Sequence, residues 1–230
     1  MKILPQIYCA MDLSHWDHII KVAGAITPLN AGLKLGLEFF TLFGADGLKK
    51  IKDQFPDASL FLDLKFHDIP NTVANACKAA AHLDVDYINL HALGGSAMMM
   101  AAKDALKDST AKLLAVTILT SSNQDTIAET GQTGTPASQV MKLAALTHKS
   151  GLDGIVCSAH EIAEMRKNFG SDFVLMVPGI RPAGADAGDQ KRVMTPKEAL
   201  DLGATHLVIG RPITGAENPA HALNAILESL

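Results

Sequence analysis

Two carboxylates and an ammonium stand close together in Asp63-Leu64-Lys65-Phe66-His67-Asp68, just where the apolar run Ser59-Leu60-Phe61-Leu62 ends. In an extended strand side chains alternate, so Asp63 and Lys65 face one side while Leu62 and Leu64 face the other. A carboxylate and an ammonium turned toward the interior are costly to desolvate unless they are paired or put to use. One reading is an ion pair that closes a strand end. The other is a charge pair at an active site, where such perturbed groups collect.

Further candidates share this setting. Lys34, in Gly32-Leu33-Lys34-Leu35-Gly36, opposes Leu33 and Leu35 in face and would meet an anion. Lys34, Asp63, Lys65 and Asp68 together would alternate in sign, a coupled set with both lysines protonated and both carboxylates ionised near pH 7. Asp12 ends the run Cys9-Ala10-Met11-Asp12 and reads either as a ligand contact or as the N-cap of a helix that Ser14 opens.

Two later stretches read as anion sites. Gly210-Arg211 follows the apolar run 206–209, and Arg181 lies in Pro178-Gly179-Ile180-Arg181-Pro182, ahead of a glycine-rich excursion to Gln190. Glycine admits close backbone approach and arginine grips phosphate bidentately; the plainer reading is a solvated strand end. The loop 179–193 is long for its kind, and with the polar stretch 120–135, which Thr120 opens, it would close over a ligand. Gly131-Gln132-Thr133-Gly134-Thr135 lacks the Gly-Lys-Ser/Thr ending of a P-loop.

Other chemistry is poorly represented. His15 and His18 read as a solvated helix face, and no His-Glu-x-x-His motif or cysteine cluster suggests a metal. His67 reads as a turn residue, His91 and His206 as satisfied core histidines, and Met98-Met99-Met100 as core or subunit contact. There is no Gly-x-Gly-x-x-Gly fingerprint and no Ser-His-Asp arrangement.

These residues need a frame. Strand-type runs fall at 7–11, 32–35, 59–65, 87–91, 112–117, 154–157, 173–178 and 206–209, alternating with helical patterns such as 72–83, 96–106, 137–149 and 196–202. Pro70, Pro136 and Pro196 mark helix starts, and Gly151 and Gly203 mark helix ends. Eight strand–helix units in 230 residues predict a single α/β domain, 1–230, built as a (β/α)8 TIM barrel. A doubly wound open sheet is the alternative. The barrel is favoured because Asp12, Lys34, Asp63, Lys65, Thr120, Arg181, Gly210 and Arg211 all fall at C-terminal strand ends, the face on which barrels carry their sites.

Hydrophobic residues make up 48% of the chain and charged residues 19%, enough for a sizeable core. The net charge of −4 argues against a general nucleic-acid or membrane-surface binder. The opening residues carry no signal-peptide pattern and no run is long enough to span a membrane. Cys9, Cys77 and Cys157 are far apart and read as buried thiols, so a cytoplasmic setting is expected.

Asp63-x-Lys65-x-x-Asp68-Ile69-Pro70-Asn71-Thr72 resembles the signature of the orotidine 5′-phosphate decarboxylase family, and the resemblance spans nearly the whole chain. Asn89-Leu90-His91-Ala92-Leu93-Gly94-Gly95 and Leu119-Thr120-Ser121 are similar to its middle strands. The block from Pro178 through Gln190 to Thr195-Pro196 is similar to its bacterial phosphate loop. The resemblance implies cofactor-independent conversion of orotidine 5′-phosphate to UMP. It gives Lys65 as proton donor, Asp63 beside the departing carboxylate, and Lys34 and Asp12 on the ribose. Thr120 falls on the pyrimidine, Gln190 between base and phosphate, and Arg181, Gly210 and Arg211 on the phosphate. It also implies a homodimer in which Asp68 and Thr72 reach the partner's site. Ser121-Ser122-Asn123 departs from the Ser-Met sequence common in bacterial relatives. Related barrels that act on sugar phosphates with a divalent metal share Asp-x-Lys-x-x-Asp, so a metal-dependent lyase is one alternative, and a catalytically dead nucleotide-phosphate sensor is another.

Overall fold

The computed structural model describes residues 4–182 and 194–230. Within these residues eight strands alternate with helices. In chain order they run β1 (Ile7–Ala10), α1 (Trp16–Ile26), β2 (Gly32–Leu35), α2 (Leu37–Gln54), β3 (Leu60–Phe66), α3 (Pro70–Ala81), β4 (Tyr87–His91) and α4 (Gly95–Ala105). The second half follows as β5 (Lys112–Val116), α5 (Gln124–Glu129), α6 (Pro136–Lys149), β6 (Gly154–Val156), α7 (Ile162–Phe169), β7 (Val174–Pro178), α8 (Pro196–Asp201), β8 (His206–Ile209), α9 (Arg211–Thr214) and α10 (Pro219–Glu228). Every strand pairs in parallel with its sequence neighbour and β8 pairs with β1, so the sheet closes as a (β/α)8 barrel rather than an open doubly wound sheet.

The strand residues sort by parity. Cys9, Leu33, Leu35, Leu60, Leu62, Ile88, Leu90, Leu113 and Ala115 pack outward with apolar helix residues such as Ile19, Val73 and Met98. Their neighbours Tyr8, Ala10, Phe61, Tyr87, Leu114, Met176 and Val208 form a separate cluster inside the barrel. This alternation makes Lys34, between Leu33 and Leu35, an inward residue, and likewise Asp63 and Asn89.

The barrel floor is aromatic and closed. The Tyr8 ring meets Phe61, Tyr87 and His206 edge-on, with centroids 6.3, 5.8 and 5.5 Å away. A β-carbon at Gly32 would drive into the Tyr8 ring, so that strand position has room for glycine alone. His206 is buried yet satisfied: its Nδ1 lies 2.8 Å from the Pro5 carbonyl and its Nε2 lies 2.7 Å from the Tyr87 hydroxyl. A carbonyl only accepts, so Nδ1 carries the proton and Nε2 accepts from Tyr87. His91 differs from the expectation of a satisfied core histidine: its Nδ1 is buried without a hydrogen-bond partner among the described residues.

Helix starts follow local chemistry. Pro70, Pro136 and Pro196 each stand in the first turn, and Thr135 and Thr195 close capping boxes on Ser138 and Glu198. Gly151 and Gly203, with φ of +77° and +105°, follow α6 and α8 as C-cap glycines do. The first helix does not open at Ser14: its N-cap is His15, without a side-chain cap bond. The stretch 120–135, expected as a loop, contains α5, whose N-cap Asn123 accepts from the Thr126 backbone N–H at 2.9 Å. All three cysteines are buried free thiols. No helix among the described residues is long and apolar enough to cross a membrane.

Candidate active site

The C-terminal ends of the strands open into a cavity of about 480 Å³, within the usual range for small-molecule sites. Asp12, Lys34, Asp63, Lys65, Thr120, Arg181, Gly210 and Arg211 all line it. The charged residues come from loops and strands on both sides of the mouth. Arg181 follows β7, four strands around the closed barrel from β3 and therefore across from Asp63.

Four of these side chains form one alternating chain. Lys34 Nζ donates to Asp12 Oδ1 and to Asp63 Oδ2, each at 3.2 Å. Lys65 Nζ donates to Asp63 Oδ1 at 2.7 Å. Asp63 also accepts from the Asn89 side-chain amide at 2.6 Å, so its carboxylate is held on both oxygens. Gly36 keeps the space free, because a β-carbon there would stand 3.2 Å from Lys34 Nζ and 3.4 Å from Asp12 Oδ1. Asp12 therefore serves the array, and the N-cap alternative falls away.

Burial and pairing pull against each other here, and pairing wins. Burial disfavours the charged form of Lys34, but the carboxylates of Asp63 and Asp12 outweigh it and raise its pKa above the usual lysine value. Burial likewise disfavours the Asp63 carboxylate, yet Lys34, Lys65 and the hydrogen bonds from Lys65 and Asn89 hold its pKa below the usual range. Both groups are charged at neutral pH. The Lys34 ammonium is thus fixed at the cavity wall between the carboxylates of Asp12 and Asp63.

Simple strand alternation does not account for Lys65. From Leu62 to Phe66, β3 advances four residues while β4 advances two, from Ile88 to Leu90. The intervening bulge holds Lys65 at φ +53°, a left-handed conformation that costs a non-glycine residue about 1–2 kcal/mol. Nothing in the residue type of a lysine announces this conformation. The backbone N–H of Lys65, lost to the strand ladder, donates to Asn89 Oδ1 at 2.8 Å. Asn89 and Gly36 are the contributors that motif reading passed over. Asn89 left one signal in the sequence, an amide flanked by Ile88 and Leu90 at an inward position of β4, and the structure buries it fully.

Asp68 does not extend the ionic chain as expected. It is exposed, and its Oδ1 accepts from the adjacent Ile69 backbone N–H at 2.6 Å. Thr72, also exposed, stands in the first turn of α3. Neither residue lines the cavity of its own chain. The array's fourth member is Asp12 instead. Arg181 is buried and Arg211 is exposed, while Gly210 abuts β1, where a β-carbon would come 3.3 Å from that of Ala10. Gln190 and most of the expected lid 179–193 lie outside the described residues.

A closed parallel barrel with an ion-paired array in a cavity at the C-terminal ends of its strands is the frame of a barrel enzyme. Residues 5–226 match the orotidine 5′-phosphate decarboxylase / HUMPS family, and the chain belongs to that family. It is 50% identical over 224 residues to an orotidine 5′-phosphate decarboxylase of Nitrosococcus oceani, covering 96% of this chain and 95% of that one. An enzyme of the same name from Pectobacterium atrosepticum is 50% identical over 228 residues, covering 97% and 91%. Among solved structures, orotidine 5′-phosphate decarboxylase from Lactobacillus acidophilus superposes with a TM-score of 0.85 at 40% identity, covering 98% of each chain. Within the family, then, the chain groups with the bacterial decarboxylases.

Proposed function

We propose that this chain decarboxylates orotidine 5′-phosphate to UMP, a step of pyrimidine biosynthesis, without a cofactor. The observation that carries the proposal is the chain Asp12–Lys34–Asp63–Lys65 fixed in one cavity with Arg181 and Arg211. The reaction breaks the bond between C6 of the pyrimidine and its carboxylate. Carbon dioxide leaves and the electron pair stays on C6, an sp² carbon with no adjacent electron sink. Such a carbanion is stabilised by field alone, and the Lys65 ammonium supplies it in advance of the reaction. Lys65 Nζ then gives a proton to C6 and is re-protonated from solvent. Asp63, already ionised, stands beside the substrate carboxylate and favours its departure.

The rest of the substrate supplies binding energy. Lys34 and Asp12 hold the ribose hydroxyls, Thr120 the pyrimidine, and Arg181, Gly210 and Arg211 the phosphate, with Gln190 between base and phosphate. Arginine suits the phosphate because its planar fork gives paired, charge-assisted hydrogen bonds. Remote binding of this kind orients the reacting bond against the fixed charges. The enzyme works as a cytoplasmic homodimer whose Asp68 and Thr72 enter the partner's cavity.

The direct test follows the fall in pyrimidine absorbance of orotidine 5′-phosphate with EDTA present. Turnover that EDTA leaves unchanged is the expected result. Turnover abolished by EDTA and restored by Mg²⁺ would favour a metal-dependent lyase, and UMP binding without turnover would favour a sensor.

A further inference from the structure

The bulge in β3 and the residue facing it belong to one device. β3 carries two more residues than β4 across this segment, and Asn89 is the single β4 residue between the paired positions Ile88 and Leu90. Bulges are uncommon in parallel pairs, and they re-aim a side chain at the cost of ladder hydrogen bonds. Here the Asn89 side chain fills the gap. Its Oδ1 accepts the Lys65 backbone N–H at 2.8 Å and its Nδ2 donates to Asp63 Oδ1 at 2.6 Å. The two partners fix the amide's orientation, since a backbone N–H can only donate and a carboxylate can only accept. Asn89 is fully buried, so no water substitutes for either bond.

We propose that Asn89 is a positioning residue of the reaction: it clamps the left-handed backbone of Lys65 and the carboxylate of Asp63 together, setting the Lys65 ammonium at its place in the cavity. This rests on the reading of Lys65 as the proton donor. An amide is suited to the task because one neutral group supplies both an acceptor and a donor. Leucine, similar in size, supplies neither. Aspartate supplies the acceptor but donates only while protonated.

Both substitutions are informative. Asn89→Leu should lower kcat by about 100-fold, the usual scale for an ångström of misplacement, while UMP affinity stays within about threefold. Asn89→Asp places a second carboxyl against Asp63, and one shared proton then replaces the amide donor. Its kcat should approach the wild-type value in acid and decline as pH rises and the proton is lost, over a range where wild-type kcat shows no such limb. If Asn89→Leu does not fold by near-ultraviolet circular dichroism, the pH profile of Asn89→Asp decides alone. A wild-type-like kcat in Asn89→Leu, or an Asn89→Asp profile parallel to wild type, would overturn the inference. Failure of the wild-type chain to consume orotidine 5′-phosphate would instead overturn the proposed function, so the two failures are distinct.

Discussion

Lys34 Nζ and Asp63 Oδ2 lie 3.2 Å apart, and each side chain is only 10% exposed. A buried pair of this kind adds little net stability when intact, but removing one partner strands the other charge in a poor solvent. The signs of its pH dependence follow from the two shifts. Lys34, raised, contributes fully below its unfolded value and loses the contribution as pH climbs through the folded one. Asp63, lowered, contributes above its unfolded value and loses the contribution as pH falls through the folded one.

Lys34→Met is therefore expected to destabilise the fold by about 3–5 kcal/mol at neutral pH. It should also move acid unfolding to higher pH, because the Asp63 carboxylate loses a cation. Urea titrations across the acid range check both. Unfolding curves that coincide with wild type at every pH would contradict the electrostatic reading of the pair.

His206 makes a second pH dependence. Burial lowers its pKa to about 4, only partly offset by its bond to Pro5. The unfolded chain takes up a proton below the ordinary histidine value, about 6.5, and the folded chain refuses it until about 4. Stability is thus complete above that ordinary value and falls by up to about 3 kcal/mol as pH drops through the window. His206→Gln should flatten the slope of unfolding free energy against pH between these limits. Parallel slopes in variant and wild type would count against it.

Arg211→Ala should weaken UMP far more than uridine, about 10-fold or greater for one charge-assisted contact of roughly 1.5–3 kcal/mol. Isothermal titration with both ligands separates the cases. An equal loss on nucleotide and nucleoside would remove Arg211 from the phosphate subsite.

Asp68 and Thr72 stand outside the cavity of their own chain, which a shared dimeric site would explain. Mixing Lys65→Ala with Asp68→Ala and allowing subunit exchange should then restore activity, since the heterodimer holds one intact site. Absence of rescue in an exchanged dimer, verified by mass, would separate Asp68 from the partner's chemistry.

Most of the barrel was legible because alternation is a strong signal. The eight strand segments were located to within a residue or so, and the inward positions of Lys34 and Asp63 follow from the leucines beside them. Weaker signals failed. Gln124–Glu129 is six residues with a single buried apolar side chain, Ile127, too short a run to show the stripe from which α5 could be read, and Asn123 caps it through a local bond that competes with ordinary turn chemistry. The β3 bulge was hidden because its cause lies in β4. Asn89 meets Lys65 only after the strands pair, and no pattern local to Asp63-Leu64-Lys65 encodes that meeting. The exchange of Asp68 for Asp12 in the ionic chain has the same origin, since Asp12 reaches Lys34 from the loop that follows the adjacent strand, β1.

Lys65→Ala tests the centre of the proposal most directly, with turnover of orotidine 5′-phosphate and binding of UMP measured on the same folded protein. Turnover should fall to the detection limit while UMP binding stays measurable, because the phosphate and ribose contacts remain. Turnover near the wild-type level would contradict the assignment of Lys65 as the fixed charge and proton donor.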